Sequence, residues 1–433
     1  MTARRSIVAM IALLVQCMSV MADDLPLVRG IRAYGGRDER LPPVLLMESQ
    51  QSSGRTSPVG SSSVTIEFDI AHSTIPNLYA RIFHCAPDWT EDANGFINDV
   101  TNRTMLIDWS VAPQRSRWFN YRGRIELPNP QLRIRFSGNW VFRLYDLDTD
   151  KQLAEQRFFV VEPMADATMN MMTEFYEPRF RVSGTGLLLE TWVSSRTRAL
   201  VEGLQQTVAT YRTHRWYEPF IITQSSSLQV QNPPQAGTNV MGMLAANKVY
   251  RVGPVPAENE YRILEADNTG FFPPTGQPIR LPLSDLPRNG SFLQRATDGA
   301  LITSMVSSSD DEYVAIEFML DPVPFGEIDR DVFLVGSFNS WKPDRTWQMS
   351  FDDDLRLYRL RQWVRRGRHN YLYGSGTLDA DNGTVRDLSF EEFEGNTAAA
   401  GHGFISFVYY RVQDFGGYDG IIAVATSNMY QSR

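Results

Sequence analysis

Strict alternation of apolar and polar residues is the feature of this chain that most constrains its fold. In Val64–Ile70 every second residue is apolar and the residues between are polar, which is the period-two pattern of a half-buried β-strand. Leu132–Phe136 alternates in the same way. The best candidate helix, Glu202–Tyr211, contains β-branched residues that suit a strand equally well. The sequence therefore predicts an all-β fold.

The chain is long enough for several domains, since it has 433 residues. Candidate strands recur with turn residues between them at the spacing of β-sandwiches. A Met-rich stretch after Glu162-Pro163 and the polar run Ser307–Asp311 mark the two predicted boundaries. We expect three consecutive immunoglobulin-like β-sandwiches, at residues 23–163, 164–305 and 306–433. The third is expected to include strands at residues 404–411 and 421–425.

The N-terminus reads as a secretory signal peptide, residues 1–22. Arg4 and Arg5 precede the apolar stretch Ile7–Met21, and small residues precede Asp23. The formal net charge of −8 becomes more negative once this segment is removed, which argues against nucleic-acid binding. Only Cys85 would remain, so no intrachain disulfide can form. No later segment is long and apolar enough to span a bilayer. We therefore expect an exported protein.

The run around His84 contains the residue types of a metal site or a thiol catalyst. His84 and Cys85 are adjacent on a predicted strand, so their side chains point to opposite faces and cannot easily hold one ion with Asp88. The trio Asp146, Asp148 and Asp150 resembles the start of a calcium loop, but the glycine and glutamate that such a loop needs are absent. We expect no catalytic, metal or cofactor site, no small-molecule ligand and no enzymatic activity.

The predicted third unit contains a Gly-Ser-Phe-Asn-Ser-Trp segment that ends at Trp341 and is followed by Trp347. This segment resembles the opening of early-set immunoglobulin-like domains, which include glycogen-binding modules. Exposed tryptophans in such modules stack on sugar faces, so Trp341 and Trp347 are candidate sugar-stacking residues of a secreted carbohydrate-binding accessory protein. The other interpretation is that they pack the hairpin onto the sandwich.

A basic run lies in the same unit, with Trp363 among Arg361, Arg365, Arg366 and Arg368. In an acidic protein such a patch could meet an acidic partner or anionic lipid. Solvated arginines on a hairpin are the commoner explanation.

Residues 66–163 resemble the N-terminal domain of the type IX secretion system plug protein family of Bacteroidetes-type bacteria. Weaker similarity continues through Gln205–Gln224 and the hairpin Gly336–Trp341, and it reaches the C-terminus in Phe404–Arg411 and Tyr418-Asp419. The matching pieces are Phe68-Asp69, Tyr79, His84-Cys85, Asp88-Trp89, Tyr121, Pro128-Asn129, Ser137-Gly138-Asn139 and Phe158–Glu162.

The resemblance implies a non-enzymatic periplasmic protein associated with the outer membrane. Its partner would be the large barrel of the outer-membrane translocon, whose periplasmic opening the plug binds and closes while no substrate passes. Such a contact calls for a broad face rather than a pocket. The sequence does not indicate which residues form that face.

Overall fold

The computed structural model describes residues 25–47, 59–195, 206–223, 239–241, 247–274, 276–288, 299–304, 306, 311–323, 326–401 and 403–428. The predicted signal peptide, residues 1–22, lies outside these ranges. Within them the chain is almost entirely β, as predicted, with one short helix, α1 (Glu391–Glu394), and three single 3-10 turns. No helix in the described part is long and apolar enough to cross a membrane.

The described part of the chain contains 25 strands. They are β1 (Leu27–Gly35), β2 (Val44–Leu46), β3 (Val64–Ala71), β4 (Leu78–Cys85), β5 (Arg103–Thr104), β6 (Asp108–Val111), β7 (Tyr121–Leu127), β8 (Gly138–Asp146), β9 (Gln152–Val161), β10 (Asp166–Phe175), β11 (Thr185–Ser194), β12 (Gln206–Arg212), β13 (Phe220–Thr223), β14 (Asn239–Met241), β15 (Asn247–Pro256), β16 (Arg262–Glu265), β17 (Ile279–Arg280), β18 (Tyr313–Leu320), β19 (Asp331–Gly336), β20 (Gln348–Asp352), β21 (Leu357–Arg365), β22 (Arg368–Leu378), β23 (Val385–Ser389), β24 (Gly403–Val412) and β25 (Tyr418–Asn428).

These strands form four sheets in the described part of the chain. The first sheet has the order β1-β3-β7-β6, and the middle sheet has the order β10-β11-β15-β14. The long sheet runs β13-β12-β24-β25-β9-β8-β4-β5, with β2 beside β9. The C-terminal sheet runs β16-β22-β19-β20-β21-β18-β17, with β23 beside β22.

The long sheet serves two units at once. Its β4–β8–β9 part packs against the first sheet around a core that includes Phe68 and Trp140. Its β12–β24–β25 part packs against the middle sheet around a core that includes Leu187 and Phe404. The two parts join where β25 lies parallel to β9 and Ile421 pairs with Val161. The first and middle units are therefore continuous through one sheet.

Two predicted strand assignments are wrong. Residues 404–411 and 421–425 were expected in the third unit, but they lie in β24 and β25 of the long sheet, where β24 pairs with β12. Conversely, β16 and β17 precede the predicted boundary at residue 305 and pair with β22 and β18 of the C-terminal sheet. Local patterning gives no information on such distant partners. The predicted unit bounds and the immunoglobulin-like class stay predictions.

The alternating segment Leu132–Phe136 is not a strand, which corrects a third prediction. Its backbone bonds go elsewhere: the Asn129 side chain accepts from the backbone N–H groups of Gln131 and Leu132. The Asn102 side chain bonds both the N–H and the carbonyl of Arg133. Leu132 is still buried in the core. The alternation therefore reflects the burial of this side chain, although the segment does not form a strand.

Candidate functional site

The His84 side chain is buried in the core of the first unit. Its Nδ1 lies 2.5 Å from a carboxylate oxygen of Asp92, and its Nε2 lies 3.1 Å from the carbonyl oxygen of Ser137. Gly138 makes this packing possible, because a Cβ at that position would lie 2.1 Å from His84 Nε2. The residue also has a φ of +139°, which favours glycine. This histidine therefore holds the β4 end against the start of β8.

Cys85 points to the opposite face from His84 and is buried. Burial raises the pKa of its thiol to about 12, so the reactive thiolate is scarce at neutral pH. The Asp88 carboxylate is exposed and accepts a hydrogen bond from the Thr90 N–H in a turn. Among the described residues, no group of three or more His, Cys, Asp or Glu is arranged to hold a metal ion.

Trp89 and Asn139 of the same run join the first unit to the middle one. The Trp89 Nε1–H donates to the Tyr211 hydroxyl at 2.9 Å. The Tyr409 hydroxyl donates to the Asn139 side-chain oxygen at 2.7 Å, and the Asn139 amide donates in turn to the Ala86 carbonyl. Tyr211 and Tyr409 are fully buried. The motif that identified the first domain is therefore the buried polar seam between two units.

A second junction joins the first unit to the C-terminal sheet through buried charges. Glu67 lies opposite Arg32 and Arg124 in the register of the first sheet. Its carboxylate also contacts Arg365 of β21 at 2.5 Å. Burial alone would raise the pKa of Glu67, but the guanidinium groups of Arg32, Arg365 and Arg122 outweigh it and hold that pKa well below its usual range.

Asp69, two residues after Glu67 on β3, belongs to the same ionic junction. It accepts from Arg122 at 2.6 Å and from the Tyr313 hydroxyl of β18 at 2.7 Å. Nearby, the rings of Trp118 and Trp363 stack with centroids 5.2 Å apart. The polar face of β3 is thus covered by the C-terminal sheet, whereas the alternating sequence predicted a half-buried strand.

The predicted basic run is mostly neutralised inside the molecule. Arg365 pairs with Glu67, and Arg366 is buried with its Nε 2.6 Å from Asp311. Arg361 lies 3.3 Å from Glu317. The side chain of Arg361 is 61% exposed and fits the solvated-hairpin interpretation. Arg365 and Arg366 are structural, because they are largely buried in ion pairs.

The two candidate sugar-stacking tryptophans do not form a platform. Trp341 is 2% exposed, and its Nε1–H donates to the Gly299 carbonyl at 2.9 Å. Trp347 is half-buried and stacks on Phe338, with ring centroids 4.6 Å apart and planes 13° apart. Trp341 therefore fits the hairpin-packing interpretation, and Trp347 fits it through the face that lies on Phe338.

A cleft of about 740 Å³ opens between the middle unit and the C-terminal sheet. Arg215 lies at its base, 2% exposed on its side chain, and pairs with Glu218 and Glu258. Its guanidinium also lies over the rings of Trp341 and Phe390. The arginine therefore links the two units. The two glutamates that neutralise its charge also line the cleft.

Sequence reasoning missed the residues that make the junctions, above all Glu67, Asp69, Tyr211 and Arg215. The signal for the first two was present, because Glu67 faces arginines on both neighbouring strands and Asp69 faces Arg122 on one of them. Tyr211 carried no such signal, since its partner Trp89 is distant in sequence. Arg215 has one near partner, Glu218, but Glu258, which also pairs with it, is distant in sequence.

The fold and the first domain of this chain are each similar to known proteins. A solved structure of a hypothetical protein from Parabacteroides merdae ATCC 43184 has a TM-score of 0.71 and 18% identity, and the alignment covers 93% of this chain and 97% of that one. This likeness shows the fold alone. No curated protein matches the chain. Residues 44–162 match the family described as "Type 9 secretion system plug protein 1st domain". The first domain of the chain thus matches the type 9 secretion system plug protein family, in agreement with the resemblance found in the sequence.

Proposed function

We propose that this protein is a non-enzymatic plug of the type 9 secretion system. It binds the periplasmic opening of the outer-membrane translocon barrel and closes it while no substrate passes. The observation that carries the proposal is the family match at residues 44–162. That match supports a role in type 9 secretion and a place in the cell envelope. The proposal that the protein seals the barrel goes beyond what that match supports.

The junctions of the molecule support this role. A protein that blocks a wide aqueous opening must resist deformation. The first and middle units share one sheet, and buried polar contacts link the first unit to both of the others. Buried polar networks that are fully satisfied rigidify a structure. A broad rigid face suits a large protein interface better than a single pocket does.

The carbohydrate-binding alternative receives no support from the structure. It required flat, accessible tryptophan faces, whereas Trp341 is buried and Trp347 is stacked on Phe338. Burial closes Trp341 to a pyranose, and Phe338 covers one face of Trp347, so the two tryptophans present no shared flat surface. We do not propose this alternative.

Affinity purification of the tagged full chain from envelopes of its native host, under mild detergent, tests the proposal. We expect a very large outer-membrane barrel to co-purify with the wild-type protein. The same tag on an unrelated exported β-protein is the control and should recover none. Absence of the barrel from the wild-type sample, with the protein itself folded and recovered, would contradict the proposal.

A further inference from the structure

Three arginines lie side by side across neighbouring strands at the β5 end of the long sheet. Arg103 of β5 lies opposite Arg81 of β4, and Arg81 lies opposite Arg143 of β8. Adjacent strands are about 4.8 Å apart, so this arginine row is about 10 Å long. Like charges directly opposite each other destabilise a sheet. Packing alone therefore does not account for the row.

The row is only partly neutralised by the protein. Arg143 lies 2.8 Å from Glu91 and 3.7 Å from Glu155. Arg81 and Arg103 make no ion pair with any residue in the described ranges. The Nε atoms of Arg81 and Arg143 are also buried without a hydrogen-bond acceptor in that part of the chain. A buried Nε cannot reach an external acceptor, so a ligand would have to contact the accessible parts of exposed Arg103 and half-buried Arg81.

Aromatic rings hold the guanidinium groups in place. The guanidiniums of Arg81 and Arg143 lie 4.8 and 4.5 Å from the centre of the Phe83 ring, and that of Arg103 lies 5.6 Å from the Tyr79 ring. Such cation–π contacts fix the cations without cancelling their charge. Tyr79 and Phe83 are only 5% and 8% exposed, so neither ring protrudes from the row.

We propose that the arginine row binds carboxylates of an acidic protein segment. A guanidinium presents a planar fork of N–H donors that matches a carboxylate. Alternate side chains of an extended segment are about 6.6–6.8 Å apart, so two acidic residues at positions i and i+2 fit within the length of the row. A lipid surface is a poorer fit, because membrane docking uses apolar side chains that insert and these two rings do not protrude.

The inference rests on the proposed function in one respect: the acidic segment is assigned to the periplasmic rim of the translocon barrel. The charge of the protein makes the row selective. The chain carries a net charge of −8, so its general field repels acidic partners. An acidic segment therefore gains attraction only where arginines are concentrated and unpaired.

Binding of a labelled synthetic peptide of alternating glutamate and threonine to the full chain tests the row directly. The test variant R81E/R103E reverses the two unpaired charges, and R81Q/R103Q removes them without adding acids. R179E/R181E is the matched control, because Arg179 and Arg181 are exposed and lie between β10 and β11. It changes the net charge by the same amount as R81E/R103E. Each variant is first checked for an unchanged unfolding midpoint.

We expect the wild type and R179E/R181E to bind the peptide equally. Both changes at Arg81 and Arg103 should weaken binding at least about tenfold, because two charge-assisted contacts are lost, and added salt should weaken wild-type binding. Equal affinities for wild type, test and control variants would overturn the inference. So would binding to phosphatidylglycerol vesicles without binding to the peptide.

Co-purification of the barrel separates this inference from the proposed function. If the wild type and R179E/R181E recover the barrel and R81E/R103E does not, both stand. If all three recover it equally, the row is not the contact, although the plug role is unaffected. If the wild type recovers no barrel, the proposed function fails, and the peptide measurement alone decides whether the row binds carboxylates.

Discussion

Replacing Glu67 by glutamine tests whether the buried charges hold the first unit to the C-terminal sheet. The Glu67 side chain is 1% exposed and lies within 4 Å of Arg32, Arg122, Arg124 and Arg365. Removing one partner of a buried ion pair leaves uncompensated charge and typically costs about 3–5 kcal/mol. Arg124 is 52% exposed, and a pair with such a residue contributes little. We therefore expect a loss near the lower end, about 3 kcal/mol.

Urea unfolding of the full chain, followed by tryptophan fluorescence, measures this loss. Glu126→Gln is the matched control, since Glu126 is exposed on the neighbouring strand β7, and surface changes of this kind usually stay within about 0.5 kcal/mol. A decrease in unfolding free energy below about 1 kcal/mol for Glu67→Gln would refute the reasoning, because such a value is typical of an exposed pair.

The pH dependence of the unfolding free energy provides a second, independent test of the role of Glu67. The pKa of Glu67 is lowered in the folded protein, so its stabilising contribution is present above the unfolded pKa, about 4.3, and is lost as the pH falls towards the folded value. Glutamine cannot titrate. The stability gap between wild type and Glu67→Gln should therefore narrow below about pH 4. A gap that stays constant from neutral pH into that range would contradict the account.

Three further predictions follow from the other contacts. Cys85 is 1% exposed and burial raises its pKa to about 12, so iodoacetamide at pH 8 should label it in urea but not in the native protein; rapid native labelling would show an open thiol. Tyr211→Phe removes the acceptor of the Trp89 Nε1–H and should lower the unfolding free energy by about 1–3 kcal/mol; an unchanged urea midpoint would mean that the seam is not stabilising. Trp341→Ala should cost about 3–5 kcal/mol in the same assay, and reduced retention on a polysaccharide gel without loss of stability would instead revive sugar binding.

Local patterning predicted much of the fold, because the side-chain period of a strand is a local property. Residues 64–70, whose alternation predicted a strand, lie in β3 as expected. What patterning could not reveal is which strands pair. Residues 404–411 have the apolar character of a core strand, and that character is the same whether the neighbour is β22 or, as observed, β12.

The junctions were the least predictable part of the site. The polar residues of β3 looked like a solvent face, because exposure is the usual fate of alternating acidic side chains. They are buried since Arg365 and Tyr313, distant in sequence, supply the compensating contacts. The His84–Trp89 run was correctly interpreted as structural, yet its partner Tyr211 lies in another unit. A single sequence does not encode such pairings in any local pattern.

Conductance of the purified translocon barrel in a planar bilayer tests the central claim most directly. The wild-type protein, added to the side of the barrel's periplasmic opening, is predicted to reduce the ionic current through open channels. Addition to the opposite side should leave the current unchanged. A barrel that binds the protein but conducts equally with and without it would contradict the claim that this protein seals the channel.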